Sequence, residues 1–190
     1  QYNEALTSFN RATDLDKKFA PAYAGMGIAY ANLADKKKAK KYAGKAQGLA
    51  GKDPDVLTLC ARVWIDLRHQ EKKWYKDAEK LLKKALKRKK NHEGATYYTG
   101  ELYLYQYEFS QAEDQFRKVV EMKGEYSAKA DKMWQMSQKI VRSMPGTPAG
   151  KKIALYEEIT RADLAVLLAE ELKISTLIER QSTPASGFQT

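Results

Sequence analysis

The residue types that most often carry out chemistry are few in this chain and are not grouped. The histidines His69 and His92 have no partners at the spacing of a metal site, and no Gly-rich phosphate loop or nucleophile elbow occurs. The acidic pairs Glu157–Glu158 and Glu170–Glu171 point in different directions, unlike two catalytic carboxylates. Cys60 lies in an apolar run, which predicts a core residue, and one cysteine cannot form an internal disulfide. We therefore expect no catalysis, no cofactor and no bound metal.

Charge is the first feature that indicates a partner. The 190 residues carry a net charge of +10, but residues 36–90 hold 19 Lys and Arg against 6 Asp and Glu. Such a surface attracts polyanions such as nucleic acid, acidic wall polymers or lipid headgroups. A solvated face is the simpler interpretation, and no motif of sequence-specific nucleic-acid recognition is present. The candidates for polyanion contact in this region are Lys37, Lys41, Lys84, Lys87 and Arg88.

The hydropathy of the sequence predicts a folded chain without a membrane-spanning segment. A hydrophobic share of 43% predicts that most of the chain folds. The longest apolar stretches are far shorter than the roughly 20 residues that span a bilayer, so we expect no transmembrane segment. No charged and then apolar leader opens the sequence, so we expect no secretion signal within this chain.

A pattern that recurs every 34 residues organises the first two thirds of the chain. A bulky residue is followed by a small one three positions later, usually a large one four later, and another small one three later. These positions lie along one face of a helix, and small residues let a neighbouring helix approach closely. The four matching segments are Tyr2–Ala12, Lys36–Ala46, Tyr75–Ala85 and Phe109–Val119, and the step from the second to the third is 39 residues.

A second kind of helix precedes three of these segments. Within residues 20–33, Gly27 is followed by tyrosine three positions later, and Gly100 stands in the same relation within residues 93–106. A third such helix begins after Asp53, where the following proline suits the first helical turn.

Paired helices with this period resemble the tetratricopeptide repeat over residues 1–123. The resemblance implies an all-α fold, a solenoid of antiparallel helix pairs with about 3.5 repeats. The extra residues of the third repeat fall within 66–73, where we expect a longer helix or a loop. Each recurring segment is the second helix of its repeat, and the helices that precede these segments are the first helices. Tyr2 lies in a second helix whose first helix is missing, which favours a fragment of a longer protein.

In that family, the first helices of the repeats line a concave groove that binds a partner protein or peptide. The positions of the family's carboxylate clamp, which binds chaperone tails through Lys and Asn, hold other residues here. The alternative for each groove position is packing between helices, although aromatic anchors are common interface hot spots. The resemblance implies groove residues Ile28, Asn32, Trp64, Tyr97, Glu101 and Tyr105, with Leu57, Ala61 and Ile65 beside Trp64 in the third repeat.

The repeat pattern stops after residue 123. Residues 126–143 predict one more helix, and we expect a capping helix over 124–145 because Trp134 falls where the repeat has glycine. The proline and glycine residues of Met144–Gly150 predict a boundary. We expect a small helical element over 146–180 and a flexible tail over 181–190.

The segment Ile159–Leu168 carries a helix start, with Thr160 as N-cap and Asp163 as its reciprocal acceptor. An apolar stripe of leucines follows. The segment resembles the S-layer homology motif, whose second helix opens with Ile-Thr-Arg-Ala-Glu. That resemblance implies a bacterial protein in which Arg161 helps to bind an acidic cell-wall polysaccharide. The Gly-rich loop of that family is replaced and one unit is present where three are usual, so a structural helix cap is the alternative.

Together these features predict a non-catalytic scaffold of the bacterial cell envelope, in the periplasm or at the cell surface. It would bind another protein or a peptide in the groove of the repeat array. One alternative is a polyanion binder that acts through the basic surface of residues 36–90. Another is a cytoplasmic adaptor in which the C-terminal motif is purely structural.

Overall fold

The computed structural model describes residues 1–156 and 158–174, and within these ranges it consists of α-helices without β-strands. This confirms the all-α prediction. The chain divides into two compact units, residues 1–137 and residues 138–190, and the boundary predicted at Met144–Gly150 lies inside the second. The helices are α1 (Tyr2–Leu15), α2 (Ala20–Asn32), α3 (Lys36–Ala50), α4 (Pro54–Asp66), α5 (Trp74–Arg88), α6 (Glu93–Tyr105), α7 (Phe109–Met122), α8 (Ser127–Ser143), α9 (Pro148–Ile153) and α10 (Arg161–Glu170).

Local sequence explains where several helices begin. The Asp53 carboxylate accepts hydrogen bonds from the backbone N–H groups of Asp55 (2.8 Å) and Val56 (3.2 Å), and Pro54 occupies the first turn of α4. Asp35 accepts from the N–H of Lys38 at 3.0 Å at the start of α3. These side chains satisfy N–H groups that have no partner within the helix.

The turns that follow α2 and α6 have the same geometry. Ala34 and Tyr107 occupy equivalent points of the repeat and have φ values of 60° and 61°. After each of them, the backbone N–H of Asp35 or Glu108 donates to the carbonyl of a tyrosine, at 2.9 Å to Tyr30 and 3.0 Å to Tyr103. This hydrogen bond closes the helix end in the manner of a Schellman turn. Two distant segments therefore repeat one local structure.

The helices of the first unit pack in a regular order. Helices α2 and α3, α4 and α5, and α6 and α7 form adjacent pairs, and α2, α4 and α6 lie in a row with α4 in the middle. Helix α1 packs against α2, α3 against α4, and α5 against α6. The small residues of the repeat lie between these helices and are fully buried, as Ala39, Ala78 and Ala112 show. All three were expected on the packing face of a second helix.

The glycines of the first helices permit close helix contact. A Cβ atom on Gly100 would lie 2.7 Å from the ring of Phe116, and one on Gly27 would lie 3.1 Å from Val63 and 3.3 Å from the carbonyl oxygen of Ala39. A methyl group at Gly100 would require the Phe116 ring to move, and one at Gly27 would require smaller shifts of its neighbours. The sequence pattern of a glycine opposite the bulky residues of the neighbouring helix thus has a direct steric cause.

The additional residues of the third repeat form a loop rather than a longer helix. Helix α4 ends at Asp66, and residues 67–73 make turns before α5. Leu67 anchors this loop because its side chain is fully buried. Glu71 fixes the far side of the loop, since its carboxylate lies 3.2 Å from Lys36 Nζ and 2.8 Å from Lys40 Nζ.

The second unit contains the predicted helix start. Thr160 Oγ1 accepts from the N–H of Asp163 at 3.2 Å, and the Asp163 carboxylate accepts from the N–H of Thr160 at 2.8 Å, so both halves of the capping box are formed. The Glu171 carboxylate accepts from the N–H and hydroxyl of Thr147 at the start of α9. Leu164 and Leu168 of α10 are 47% and 36% exposed, and Leu167 is partly buried. Residue 157 and residues 175–190, which include the predicted tail, lie outside the described residues.

Candidate partner-binding face

One surface of the first unit is formed by equivalent positions of α2, α4 and α6. Asn32, Asp66 and Tyr105 are 34 and 39 residues apart, which is one repeat each, and so are Ile28, Arg62 and Glu101. We call the surface formed by these six residues, together with Arg68 beside Tyr105, the even-helix face. Ile28 is its most buried member, at 8% exposed. The row of α2, α4 and α6 brings the two series side by side.

Hydrogen bonds connect the first part of the even-helix face. The Tyr2 hydroxyl donates to Asn32 Oδ1 at 3.0 Å, and Asn32 Nδ2 donates to Asp66 Oδ2 at 3.0 Å. Asn32 Nδ2 also donates to the carbonyl of Ile28 at 2.9 Å, which fixes the orientation of the amide. The three side chains come from three different helices, so this chain of hydrogen bonds is a tertiary feature.

Two arginines lie over aromatic rings on the same surface. The guanidinium of Arg68 is 4.1 Å from the ring centroid of Tyr105, and that of Arg62 is 5.9 Å from the ring centroid of Tyr98. Arg62 Nε is also 3.7 Å from Asp66 Oδ2. A planar guanidinium on an aromatic ring keeps N–H donors at its edge for another group. This part of the face can therefore bind carboxylates and aromatic side chains.

Two carboxylic acids on the face are perturbed. Burial raises the pKa of Glu101, the hydrogen bond with Tyr97 opposes this effect, and the charge of Asp66 adds to it. Burial also raises the pKa of Asp66, and Arg62 and the hydrogen bond from Asn32 oppose the shift. The face is therefore a partly desolvated group of two acids and two arginines, in which each charge depends on its neighbours.

A cluster of buried aromatic residues packs beneath the exposed side chains of the even-helix face. The rings of Tyr97, Tyr98, Phe116 and Tyr126 lie with neighbouring centroids 5.2 to 5.9 Å apart. Tyr97 and Tyr98 are only 7% and 5% exposed. Tyr97 thus takes the packing role that was the alternative for each groove position, with its hydroxyl near Glu101.

The structure brings five of the six predicted groove residues together and separates one. Ile28, Asn32, Glu101 and Tyr105 lie on the even-helix face, and Tyr97 lies beside Glu101. Trp64 lies apart from them, with Lys40 Nζ 5.1 Å from its ring. Its neighbours Leu57, Ala61 and Ile65 are at most 2% exposed, so their assignment to a groove was wrong.

The error in the third repeat has a simple origin. Counting 34 residues from Ile28 and Asn32 leads to Arg62 and Asp66, whereas the sequence assignment used positions one or two residues away. A shift of one residue rotates a helical position by about 100°, from the surface to the core. The period itself was the signal that identifies Arg62 and Asp66.

The basic candidates fall into two groups. Lys84, Lys87 and Arg88 line a pocket of about 500 Å³ together with Gly51 and Leu57, which we call the basic pocket. None of these three cations forms a salt bridge within residues 1–156 and 158–174. On α3, by contrast, Lys36, Lys38 and Lys40 are paired with Glu71 or Asp35.

The remaining basic candidates are single exposed residues. Lys37 is exposed on α3, and Lys41 Nζ is 5.8 Å from the ring centroid of Tyr42. Arg161 is exposed in the first turn of α10 in the second unit, directly after the Thr160 cap. The structure thus groups Lys84, Lys87 and Arg88 around one pocket, whereas Lys37 and Lys41 lie one turn apart on the exposed side of α3 and Arg161 lies on α10.

The histidine and cysteine side chains have structural contacts. His92 caps α6 by accepting from the N–H of Ala95 at 3.1 Å, and its Nε2 is 2.9 Å from an Asp55 oxygen. Burial raises the pKa of the Cys60 thiol to about 12, and Sγ lies 3.5 Å from the carbonyl oxygen of Ala43. Across the described ranges, no group of three or more His, Cys, Asp or Glu is arranged to hold a metal ion. Among the helices of those ranges, none has the length and apolarity to cross a bilayer.

Comparison of the chain with protein-family models gives no match, and comparison with curated proteins gives none.

Proposed function

We propose that this chain is a tetratricopeptide-type repeat array that binds a partner protein through the even-helix face. The observation that carries the proposal is the alignment of equivalent residues from α2, α4 and α6 on one surface, with Arg62, Asp66 and Glu101 adjacent. Long-range hydrogen bonds and cation–π contacts hold these side chains in place, so little ordering is needed on binding. Arginine and tyrosine are also the residue types most frequent among interface hot spots.

The partner that fits this face is an extended or helical peptide with both acidic and aromatic residues. The donors at the edges of Arg62 and Arg68 suit carboxylates, and the partly exposed ring of Tyr105 offers a stacking surface. The positions of the carboxylate clamp hold Ala24, Ile28, Tyr97 and Glu101, which disfavours recognition of a terminal carboxylate by that clamp.

Selection of displayed random peptides against the full chain tests the proposal. We expect enriched peptides that lose binding to an Arg68→Ala/Tyr105→Ala variant and keep binding to a Lys84→Ser/Lys87→Ser variant. Both variants change partly or fully exposed side chains, and circular dichroism checks that each remains helical. Peptides that bind both variants equally would contradict the assignment of the site.

The envelope setting of this scaffold is part of the proposal and depends on the second unit. The Ile159–Leu168 segment resembles the S-layer homology motif, and Arg161 is exposed beside a helix N-terminus, where an anionic sugar polymer would be favoured. Co-sedimentation with purified bacterial cell-wall fragments tests it. We expect retention that falls with Arg161→Ala but not with Lys152→Ala. Equal retention of both variants would instead support an adaptor whose C-terminal motif is structural.

A second candidate function is polyanion binding, which the basic pocket favours. Lys84, Lys87 and Arg88 converge there, and within residues 1–156 and 158–174 none of them forms a salt bridge. On heparin, we expect retention that weakens steeply with salt and that falls in a Lys84→Ser/Lys87→Ser/Arg88→Ser variant. A Lys36→Ser/Lys38→Ser/Lys40→Ser variant removes the same number of cations, each already paired with Glu71 or Asp35, and should elute later than the first variant. Absence of retention at low salt would remove this candidate.

A further inference from the structure

One position of the four recurring segments carries a cation in every copy. It directly precedes the last residue of the pattern and is occupied by Arg11, Lys45, Lys84 and Lys118, which are 34, 39 and 34 residues apart. All four side chains are exposed, and across residues 1–156 and 158–174 none of them forms a salt bridge. Cations that recur without acidic partners suit a ligand that supplies anionic groups in series.

Two pockets lie at equivalent points of successive repeats. The basic pocket has a volume of about 500 Å³, and the other, which we call the polar pocket, has about 530 Å³. Lys84 in the first pocket corresponds to Lys118 in the second, one repeat later, and Leu57 corresponds to Thr96. The polar pocket is also lined by Leu86, Lys90, Asn91, Gln115, Glu121 and Met122.

The separation of the odd-numbered helices explains both pockets. Within residues 1–137, α5 packs against α4 and α6, and no odd-numbered helix packs extensively against another. Residues of α5 line both pockets, with Lys87 in the basic pocket and Leu86 in the polar pocket. A ligand that occupies both pockets must therefore cross the end of α5, where Lys87–Lys90 are four consecutive exposed cations.

The polar pocket offers groups that suit sugar hydroxyls. The side-chain amides of Asn91 and Gln115 have no hydrogen-bond partner among the described residues. The Thr96 hydroxyl donates to the carbonyl of His92 at 3.0 Å and can still accept a hydrogen bond. Among those residues, no aromatic ring lines either pocket, so the stacking sites that single-stranded nucleic acid uses are missing there. Acidic sugars match this combination of cations and uncharged amides.

We propose that a linear acidic polysaccharide binds across the end of α5 and occupies the basic pocket and the polar pocket together. Lys84 and Lys118 contact equivalent anionic groups of the polymer, and Asn91 and Gln115 bind its hydroxyl groups. The proposal rests on the second candidate function, polyanion binding, and adds the class of ligand and a second pocket. Because the two pockets act on one polymer, affinity rises with its length until both are filled.

Binding of labelled heparin fragments to the full chain, measured by fluorescence anisotropy, tests the proposal. We expect a fragment of about 12 sugars to bind at least about tenfold more tightly than one of about 4 sugars. A Lys90→Ser/Lys118→Ser variant removes both cations of the polar pocket. It should weaken binding of the long fragment about tenfold and leave the short fragment, which fills the basic pocket, within about twofold of the unmodified chain.

Glu121→Lys is a gain-of-function variant, which a folding defect cannot imitate. Glu121 is one repeat after Lys87, so lysine there gives the polar pocket the third cation that the basic pocket has. The long fragment should bind about fivefold more tightly and with a steeper dependence on salt. Glu4→Lys makes the same change of charge in the exposed first turn of α1 and should leave the affinity within about twofold.

Three results would overturn the proposal and leave polyanion binding by the basic pocket intact. They are equal affinity for the two fragments, unchanged binding of the long fragment by Lys90→Ser/Lys118→Ser, and equal gains from Glu121→Lys and Glu4→Lys. Tighter binding of an oligothymidylate of the same net charge would also overturn it, because nucleic acid would then be the occupant. Absence of heparin retention at low salt removes the candidate function itself, so the two failures are distinguishable.

Discussion

At the scale of single residues, Glu101 is an acid whose ionised form is disfavoured by burial. Burial raises its pKa, so its carboxyl group is protonated more readily in the folded chain than in the unfolded chain. Its contribution to stability is then complete below the unfolded pKa of about 4.3 and is lost as the pH rises through the raised value. Glutamine imitates the protonated form and can still accept from the Tyr97 hydroxyl.

We therefore expect Glu101→Gln to increase the free energy of unfolding at about pH 7, with the gain disappearing at about pH 4. Urea denaturation at both pH values measures this. Glu121→Gln, on an exposed position of α7, is the matched control and should change little at either pH. A loss of stability at neutral pH would show that the arginines, rather than burial, determine the state of Glu101.

Two glycines of the repeat region should respond in opposite directions to the same substitution. Gly100→Ala places a Cβ atom 2.7 Å from the Phe116 ring and should lower the free energy of unfolding by about 1–3 kcal/mol. Gly44→Ala, inside α3, meets no atom within 4 Å and should raise it by about 0.5–1 kcal/mol through its helix propensity. Urea unfolding of both variants checks the pair, and a neutral Gly100→Ala would contradict the close contact of α6 and α7.

At the scale of elements, the loop of residues 67–73 is held by the charge of Glu71. Hydrogen bonds from Lys40 and Lys36 lower the pKa of Glu71 to about 2. The ionised form is favoured in the folded chain, so its contribution to stability is present above the unfolded pKa of about 4.3 and is lost as the pH falls toward 2. We expect the unmodified chain to be more stable than Glu71→Gln at neutral pH, with the difference shrinking in acid.

Stability curves of both chains against pH measure this difference. Glu125→Gln, at an exposed turn, serves as the control and should follow the unmodified chain throughout. A difference between the chain and Glu71→Gln that persists unchanged at low pH would mean that packing, and not the two lysines, holds the loop.

Features of the helices and loops that depend on neighbouring residues can be predicted from the sequence, whereas those that depend on distant residues cannot. Helix starts at Asp53-Pro54 and Thr160 depend on neighbouring residues and were predicted correctly, as was the last long helix, which runs from Ser127 to Ser143. The local sequence does not decide between a longer helix and a loop after α4, because the loop depends on ion pairs of Glu71 with lysines of α3. Long-range charge pairs of this kind have no local signature.

The candidate site was predictable only where the period was applied strictly. Asn32, Glu101 and Tyr105 follow from the repeat, and Arg62 and Asp66 follow from the same rule without the one-residue error that led to Trp64. The cation–π contacts of Arg68 were not predictable, because Arg68 lies beyond the end of α4 and its direction is set by the loop.

At the scale of the whole molecule, the sequence concentrates positive charge in residues 36–90. In the structure, some of these cations form salt bridges and others do not. The lysines at the start of α3 hold the inserted loop and the Asp35 cap. Lys84, Lys87 and Arg88 remain available around the basic pocket. The even-helix face carries balanced charges instead, with two arginines beside two acids. Binding to a polyanion and binding to a peptide should therefore be separable by mutation.

Titration calorimetry of one selected peptide against two variants tests the central claim, that the even-helix face binds a partner. We predict that Arg68→Ala/Tyr105→Ala weakens binding at least about tenfold, as expected for loss of interface hot spots. We predict that Lys84→Ser/Lys87→Ser/Arg88→Ser leaves the affinity within about twofold of the unmodified chain. The reverse order, with binding retained by the face variant and lost by the basic-pocket variant, would contradict the account.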